Sequence, residues 1–144
     1  MTEVVLDASV IVKWAFPDRA PEAHAERALN MLHAVHAGRL SIVEPPHWLA
    51  EVAAVVTRLA PDRAADVVAL MHAMEFPVLD ELEVYLEAAR LSAESGQHVF
   101  DTLYHAVALR RRGASLVTAD ERYYRNARRA GRMVLLQDFV VPTG

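Results

Sequence analysis

Apolar residues along the chain follow two patterns: short continuous runs, and longer stretches in which they recur every three or four positions. Continuous runs of this length are typical of buried strands, and the longer pattern is typical of helices. The runs fall at residues 4–6, 40–43, 76–79, 115–118 and 133–136. They predict about five strands. Pro77 restricts the third of these to a sheet edge or a strand start.

Helical spacing fills the segments between the runs, and Gly or Pro residues mark many of the ends. The predicted helices cover residues 9–16, 21–37, 46–59, 63–73, 82–95, 99–112 and 120–131. The second starts at Pro21, a residue that is favoured in a first helical turn. Strands that alternate with helices predict a three-layer α/β/α fold with a mostly parallel sheet. No repeat or linker interrupts the pattern, so we expect one domain over residues 1–144.

The composition narrows the class of protein. The 144 residues are 53% hydrophobic, which is enough to form a buried core. The chain contains no cysteine, which excludes disulfides, thiolate metal ligands and cysteine nucleophiles. The N-terminus lacks the pattern of a signal peptide, and no stretch approaches the ~20 apolar residues of a membrane span. We therefore expect a soluble, cytoplasmic protein.

Four carboxylates stand where an α/β protein can place a reactive site. Asp7 ends the first predicted strand and Asp120 follows the fourth, and ligands in such folds bind where strands end and helices begin. Glu51 and Asp101 lie at the edges of the apolar faces of the third and sixth helices. Carboxylates gathered in one cleft repel each other unless a cation is bound, and oxygen-only ligands suit Mg²⁺ or Mn²⁺. Such a site can hydrolyse a phosphodiester.

Each acid also has a purely structural interpretation. Asp7 and Asp120 precede predicted helices, where an N-cap aspartate contributes about 0.5–2 kcal/mol to stability. Asp101, near a helix N-terminus, complements the helix dipole, and Glu51 fits an exposed boundary position. His105, one turn after Asp101, is expected to have a packing role. The spacing of the four acids alone leaves both interpretations open.

Four stretches of the sequence, in this order and at these separations, resemble PIN-domain ribonucleases, particularly the VapC-like toxins of bacterial and archaeal toxin–antitoxin pairs. The stretches are VVLDASVIVKWAFP, EPPHWLAEVAAVV, FDTLYHAVALRRRG and LVTADERYYR. The resemblance extends from Val4 to about Leu136. Within this span, residues 59–94 match only in pattern and give no information about the substrate.

The resemblance implies a metal-dependent ribonuclease with one or two Mg²⁺ or Mn²⁺ ions. The implied ligands are Asp7, Glu51, Asp101 and Asp120. Ser9 and Thr118 match hydroxyl positions that support such a site, although a capping or turn role explains them equally well. The resemblance further implies an RNA substrate, a homodimer and a small antitoxin partner.

The C-terminal third is basic, although the net charge of the chain is −4. Eight arginines and only two acids lie between Arg110 and Arg132. Arg122, Arg125 and Arg129 are spaced to share a helix face, where they are candidates for contacts to RNA phosphates. A solvated helix surface, or an anchor for an acidic antitoxin segment, explains these arginines as well.

Two other functions remain open. In an aspartyl-phosphate phosphatase or a receiver domain, Asp7 would be the phosphorylated acid and Thr118 a phosphate contact. The phosphatase pattern requires a second acid where Ser9 stands, and the receiver pattern requires a lysine after the last strands, which this chain lacks. The other alternative is a non-catalytic PIN-like module that binds RNA or protein without cutting.

Overall fold

Four parallel strands form the sheet in the computed structural model, which describes residues 2–17 and 24–143. The strands are β1 (Thr2–Leu6), β2 (Leu40–Ile42), β3 (Ser115–Thr118) and β4 (Met133–Leu135). Their order across the sheet is β2-β1-β3-β4, and each neighbouring pair is parallel. The central β1 is apolar because it is covered on both faces, and its residues Val4, Val5 and Leu6 are fully buried.

Seven α-helices flank this sheet in the described residues. They are α1 (Ala8–Ala15), α2 (Ala25–His36), α3 (Trp48–Leu59), α4 (Ala64–His72), α5 (Leu82–Ser95), α6 (Val99–Arg110) and α7 (Glu121–Ala127). Short 3₁₀ helices follow α7 and β4, at Arg128–Ala130 and Leu136–Asp138. The predicted α/β fold class with a parallel sheet is confirmed. Among the described helices, none is long and apolar enough to cross a membrane.

The prediction of a strand at residues 76–79 was wrong, so the sheet has four strands instead of about five. Val78 forms only an isolated parallel bridge with Glu44. The Glu44 N–H donates to the Pro77 carbonyl at 2.9 Å, and the Leu79 N–H donates to the Glu44 carbonyl at 3.0 Å. The next amide on the same side belongs to Pro77, which has no N–H. The ladder therefore stops after one residue pair.

Predicted and observed helix ends differ by a few residues, as is usual for frayed ends. α3 begins at Trp48 rather than Pro46, because a turn in which the Trp48 N–H donates to the Pro45 carbonyl at 3.3 Å precedes it. α7 ends at Ala127, and the 3₁₀ helix after it ends at Ala130, with Gly131 as its C-cap. The predicted helix start at Pro21 lies outside the described residues.

The helices around the sheet belong to two packing groups. α6 is buried over residues 102–108 and packs mainly against α5, β1 and β3. α3 packs mainly against α1 and α4. Because α6 carries Asp101 in its first turn and α3 carries Glu51 in its own, the two groups each contribute one acid to the region beyond the strand ends.

Candidate metal centre

Asp7 lies at the carboxyl end of β1, beside the end of β3. The register pairs Leu6 with Val117, and the Asp7 N–H donates to the Val117 carbonyl at 3.1 Å. Thr118, the last residue of β3, donates its hydroxyl to Asp7 Oδ2 at 3.1 Å. Ser9, in the first turn of α1, donates to the same oxygen at 2.5 Å. Two hydroxyls therefore hold one oxygen of this carboxylate.

Each of these hydroxyls also accepts a backbone hydrogen bond. The Ala119 N–H donates to Ser9 Oγ at 3.1 Å, and the Asp120 N–H donates to Thr118 Oγ1 at 3.0 Å. Chains of this kind polarise each member and favour the ionised acceptor at the end. Burial raises the pKa of Asp7 and the nearby Asp120 charge adds to the rise, whereas the bonds from Ser9 and Thr118 lower it. The hydroxyls partly offset the cost of placing this carboxylate in the interior.

Helix capping, the structural alternative, applies to Asp120 and not to Asp7. Asp120 is the N-cap residue of α7, and its Oδ1 accepts the Tyr123 N–H at 2.9 Å. Asp7 precedes α1 with an extended backbone, but its side chain makes no capping hydrogen bond. The carboxylate of Asp7 is thus oriented by Ser9 and Thr118 and does not serve to begin a helix.

An open cleft of about 400 Å³ brings three of the four predicted carboxylates together. Its walls include Asp7, Glu51 and Asp101, with Ser9 beside them. Asp120 is not part of these walls, but its charge raises the pKa of both Asp7 and Asp101. The charge of Asp120 therefore acts on two of the three acids that line the cleft.

Asp101 shows this mutual repulsion most clearly. Partial burial raises its pKa, and the charges of Asp7, Glu51 and Asp120 raise it further, to about 6. Burial and the charge of Asp7 also raise the pKa of Glu51. A cleft that holds several carboxylates disfavours their full ionisation until a cation neutralises them.

The donor set fits a hard divalent cation, because all four predicted ligands offer carboxylate oxygens. Within the described residues, no three His, Cys, Asp or Glu side chains converge closely enough to hold a metal ion as they stand. Some of these side chains would therefore have to rotate toward a bound ion. Their chemistry fits Mg²⁺ or Mn²⁺, and their present arrangement is that of carboxylates that repel each other.

Two basic residues that the sequence patterns did not single out line the same cleft. Lys13 of α1, the only lysine in the sequence, is buried, and Arg58 of α3 is exposed. A signal for Lys13 was present, since it lies four residues after Ser9 and thus on the same face of α1. The arginines predicted to contact RNA are exposed and do not line this cleft: Arg122, Arg125 and Arg129.

Two histidines near the acids have different surroundings. His105 is fully buried, with Nδ1 3.0 Å from the Tyr123 hydroxyl and Nε2 2.7 Å from the Gly131 carbonyl oxygen, so it packs in the core as predicted. His47 was not singled out by sequence, yet its Nε2 lies 3.5 Å from Glu51 Oε1. Its contact depends on a proline-rich turn before α3, which helical periodicity does not reveal.

Comparisons with known proteins identify the family to which this sequence is similar. Residues 4–129 match the PIN domain family model. A search of curated protein sequences finds no significant match. Twelve chains of solved structures match significantly.

One of these structures is VapC20 of Mycobacterium tuberculosis, described as a sarcin-ricin loop cleaving toxin. Its TM-score is 0.60 at 16% identity, and the match covers 81% of this chain and 87% of that one. Another is VapBC2 from Rickettsia felis bound to a DNA fragment from its promoter, with a TM-score of 0.65 at 16% identity and coverage of 93% and 97%. These likenesses show the fold. Because the match to the PIN domain family model covers residues 4–129 of the 144 in this chain, the chain belongs to the PIN-domain family.

Proposed function

We propose that the protein is a ribonuclease of the VapC type that hydrolyses RNA phosphodiester bonds with Mg²⁺ or Mn²⁺. The observation that carries this proposal is the cleft in which Asp7, Glu51 and Asp101 meet, coupled electrostatically to Asp120. Such an accumulation of like charge is unfavourable in a purely structural role, and it occurs where α/β proteins bind their ligands. Membership of the PIN-domain family supports the same function.

The residues of the cleft have separate tasks in this proposal. When bound, a divalent cation supplies a Lewis acid that stabilises the negative charge developing on a phosphodiester. Asp7, Glu51, Asp101 and Asp120 would hold it. Ser9 and Thr118 keep Asp7 in one orientation through its Oδ2. Both hydroxyls thereby reduce the reorganisation that binding requires.

The basic residues of the cleft would bind the phosphates of the RNA substrate. Lys13 and Arg58 can attract RNA phosphates toward an acidic surface that would otherwise repel them. The exposed arginines Arg122 and Arg125 on α7, with Arg129 after it, are candidates for contacts to the RNA backbone farther from the cleft. We further propose that residues 1–144 act as one PIN-like domain.

A toxin of this type would act with protein partners. VapBC2, whose fold this chain shares, contains an antitoxin and was solved on promoter DNA, which supports a small antitoxin partner here. Several large apolar side chains on α5 and at the start of α6 are exposed, among them Leu82, Leu86 and Phe100. Exposed apolar groups of this kind support contacts with another chain, including a second copy in a homodimer.

The experiment that tests the proposed function compares the wild type with Asp7→Asn and with Asp66→Asn. Asp66 is an exposed acid in the first turn of α4 and serves as the matched control. Thermal unfolding with and without Mn²⁺ and cleavage of a mixed RNA pool are measured for all three. We expect Mn²⁺ to stabilise the wild type and the control, and we expect both to cut RNA. Asp7→Asn should be neither stabilised by Mn²⁺ nor able to cut RNA.

Two results would contradict the proposal in different ways. If all three proteins respond alike to Mn²⁺ and none cuts RNA, the acids have structural roles only. If the wild type binds RNA in a metal-dependent manner but yields no cleavage products, the chain is a binding module. The RNA products from the wild type would also identify the sequence or structure at which it cuts.

A further inference from the structure

His47 contacts both of the helices that supply acids from outside the sheet. It occupies the N-cap position of α3, one turn before Glu51. Its Nε2 lies 2.6 Å from the carbonyl oxygen of Phe100 and 3.5 Å from Glu51 Oε1. Phe100 directly precedes Asp101 in the first turn of α6. His47 Nε2 therefore contacts both the Glu51 carboxylate and the backbone of Phe100, the residue before Asp101.

The ring of His47 is held in place by packing. It contacts two aromatic side chains of α6, with its ring centroid 4.9 Å from that of Tyr104 and 5.7 Å from that of Phe100. Only 14% of its side chain is exposed. A ring enclosed in this way keeps one orientation, so the direction of its Nε2–H is set by the fold rather than by solvent.

The tautomer of His47 follows from its partner. A carbonyl oxygen only accepts hydrogen bonds, so Nε2 must carry a hydrogen and donate it to Phe100. The opposite nitrogen, Nδ1, is buried and has no hydrogen-bond partner in the described structure. The same Nε2 lies 3.5 Å from Glu51 Oε1, an electrostatic contact without a hydrogen bond. The side chain thus donates to α6 and also lies beside the Glu51 carboxylate of α3.

This contact joins elements that packing leaves separate. α3 packs mainly against α1 and α4, and α6 packs mainly against α5, β1 and β3. The separation of Glu51 and Asp101 is therefore not set by extensive direct packing of their two helices. Since divalent cations accept only a narrow range of ligand distances, that separation must be controlled for a metal site to form.

We propose that His47 is a positioning residue that sets the spacing of Glu51 and Asp101 for a divalent cation. This inference rests on the proposed function, because it assumes that the two acids are ligands. His47 itself is not a metal ligand in this arrangement, since its Nε2–H is donated to the Phe100 carbonyl. Its role is to lock the N-terminal turn of α6 against that of α3.

The test uses two substitutions of different character. His47→Phe retains an aromatic ring that can contact Phe100 and Tyr104 but removes the N–H donor. His47→Gln retains an N–H donor on a flexible side chain. His72→Phe, at an exposed histidine at the end of α4, is the matched control. Mn²⁺ affinity is measured by calorimetry, and thermal unfolding is measured without metal.

We expect His47→Phe to bind Mn²⁺ about 10–100-fold more weakly than the wild type, the range found when groups that orient metal ligands are removed. His47→Gln should recover part of that loss, and His72→Phe should bind normally. A purely structural role would lower the unfolding temperature of metal-free His47→Phe without this rescue by Gln. If His47→Phe binds Mn²⁺ as tightly as the wild type, the inference is overturned.

A second measurement separates this inference from the proposed function. Amide hydrogen exchange of Asp101 and Thr102, whose N–H groups both donate to the His98 carbonyl at 3.0 Å, reports on the first turn of α6 without any metal. If the wild type binds no Mn²⁺, the proposed function fails, and this exchange decides the role of His47. Faster exchange in His47→Phe supports the lock between helices, and unchanged exchange refutes it.

Discussion

Thr118 donates its hydroxyl to Asp7 Oδ2 at 3.1 Å, although the two residues are 111 positions apart in the chain. The contact follows from the parallel register of β1 and β3, which pairs Leu6 with Val117. The residues that follow this pair, Asp7 and Thr118, therefore lie side by side. The same register makes the Asp7 N–H a donor to Val117. The pairing of β1 with β3 at the centre of the sheet therefore helps to orient the Asp7 carboxylate.

Thr118→Val tests this dependence, because it removes the hydroxyl and keeps the shape. The hydroxyl lowers the pKa of Asp7, so its loss should raise that pKa further and make Mn²⁺ compete with a proton. We expect weaker Mn²⁺ binding than in the wild type, with a larger defect at about pH 6 than at about pH 8. Calorimetry at both pH values measures it.

The substitution also affects stability. The Asp120 N–H would lose its acceptor, and a part-buried hydrogen bond of this kind contributes about 0.5–1.5 kcal/mol to stability. Thr57→Val, at an exposed threonine of α3, provides the control and should change neither property. A binding defect in Thr118→Val that is the same at both pH values would show that the hydroxyl does not act through the protonation of Asp7.

Asp120 combines a capping role with a charge, and two substitutions separate them. Asn can accept the Tyr123 N–H as Asp does, so Asp120→Asn should keep the stability of α7 while it abolishes RNA cleavage. Asp120→Ala should also lose the cap, at a cost of about 0.5–2 kcal/mol. Urea unfolding and RNA cleavage are measured for both. Full cleavage by Asp120→Asn would leave Asp120 with the capping role alone.

The chain order of the strands and helices was predictable, because their apolar periods differ clearly. β3 and α5 begin and end where the sequence predicts. The wrong strand at residues 76–79 has the apolar content of a strand, and only the geometry of Pro77 beside Glu44 limits it to one bridge. Such a limit depends on which side of the segment faces its neighbour, which a single sequence does not contain.

The candidate site was predictable in part for the same reason. Asp7 directly follows β1 and Thr118 ends the neighbouring β3, so their proximity comes directly from the parallel sheet. The positions of Glu51 and Asp101 depend on how two helices from different packing groups approach the strand ends. That approach involves His47, whose contact to Phe100 bridges 53 positions and leaves no periodic trace.

The stability of the metal-free protein should fall as the pH rises from about 4.5 to about 7.5. Asp101 has a pKa near 6 in the fold, above its ordinary value, so its ionisation is less favourable in the folded state. A raised carboxyl pKa gives a contribution that is present at low pH and lost as the pH rises through the folded value. Urea unfolding across this range measures the effect.

Asp101→Asn provides the comparison for this pH dependence, because it removes the group whose pKa is raised. The variant should lose less stability between the two pH values than the wild type. Saturating Mn²⁺ should reverse the trend in the wild type, since the ion favours the ionised carboxylates. Parallel curves for the two metal-free proteins would show that repulsion at Asp101 does not affect folding.

Lys13 and Arg58 should govern RNA affinity, because they line the cleft that holds the acids. The substitutions are made in an Asp7→Asn background, in which we expect no cleavage. Lys13→Gln and Arg58→Gln should each weaken RNA binding and reduce the slope of log affinity against log salt concentration by about one. Arg125→Gln, an exposed arginine of α7, is the comparison. Fluorescence anisotropy over a salt series measures the slopes. A larger loss in Arg125→Gln would place the RNA along α7.

Glu44 is a fully buried carboxyl whose Oε1 accepts the Leu6 N–H at 2.9 Å. Its Oε2 and the nearby Tyr104 hydroxyl are buried without hydrogen-bond partners in the described structure. Burial raises the pKa of Glu44 well above its ordinary value, and the Leu6 bond opposes this only in part. Its ionisation should therefore oppose folding as the pH rises through the folded pKa.

Glu44→Gln keeps an acceptor for the Leu6 N–H but cannot ionise, so its stability should decline less than that of the wild type between about pH 5 and about pH 9. Glu44→Ala should instead be destabilised at every pH, since the buried Leu6 N–H would lose its acceptor at a cost of about 1–3 kcal/mol. Urea unfolding at several pH values distinguishes the two, with Glu83→Gln at an exposed position of α5 as the control. If Glu44→Gln follows the wild-type curve, Glu44 does not ionise in this range, and its burial is compatible with a carboxyl that remains protonated beneath β1.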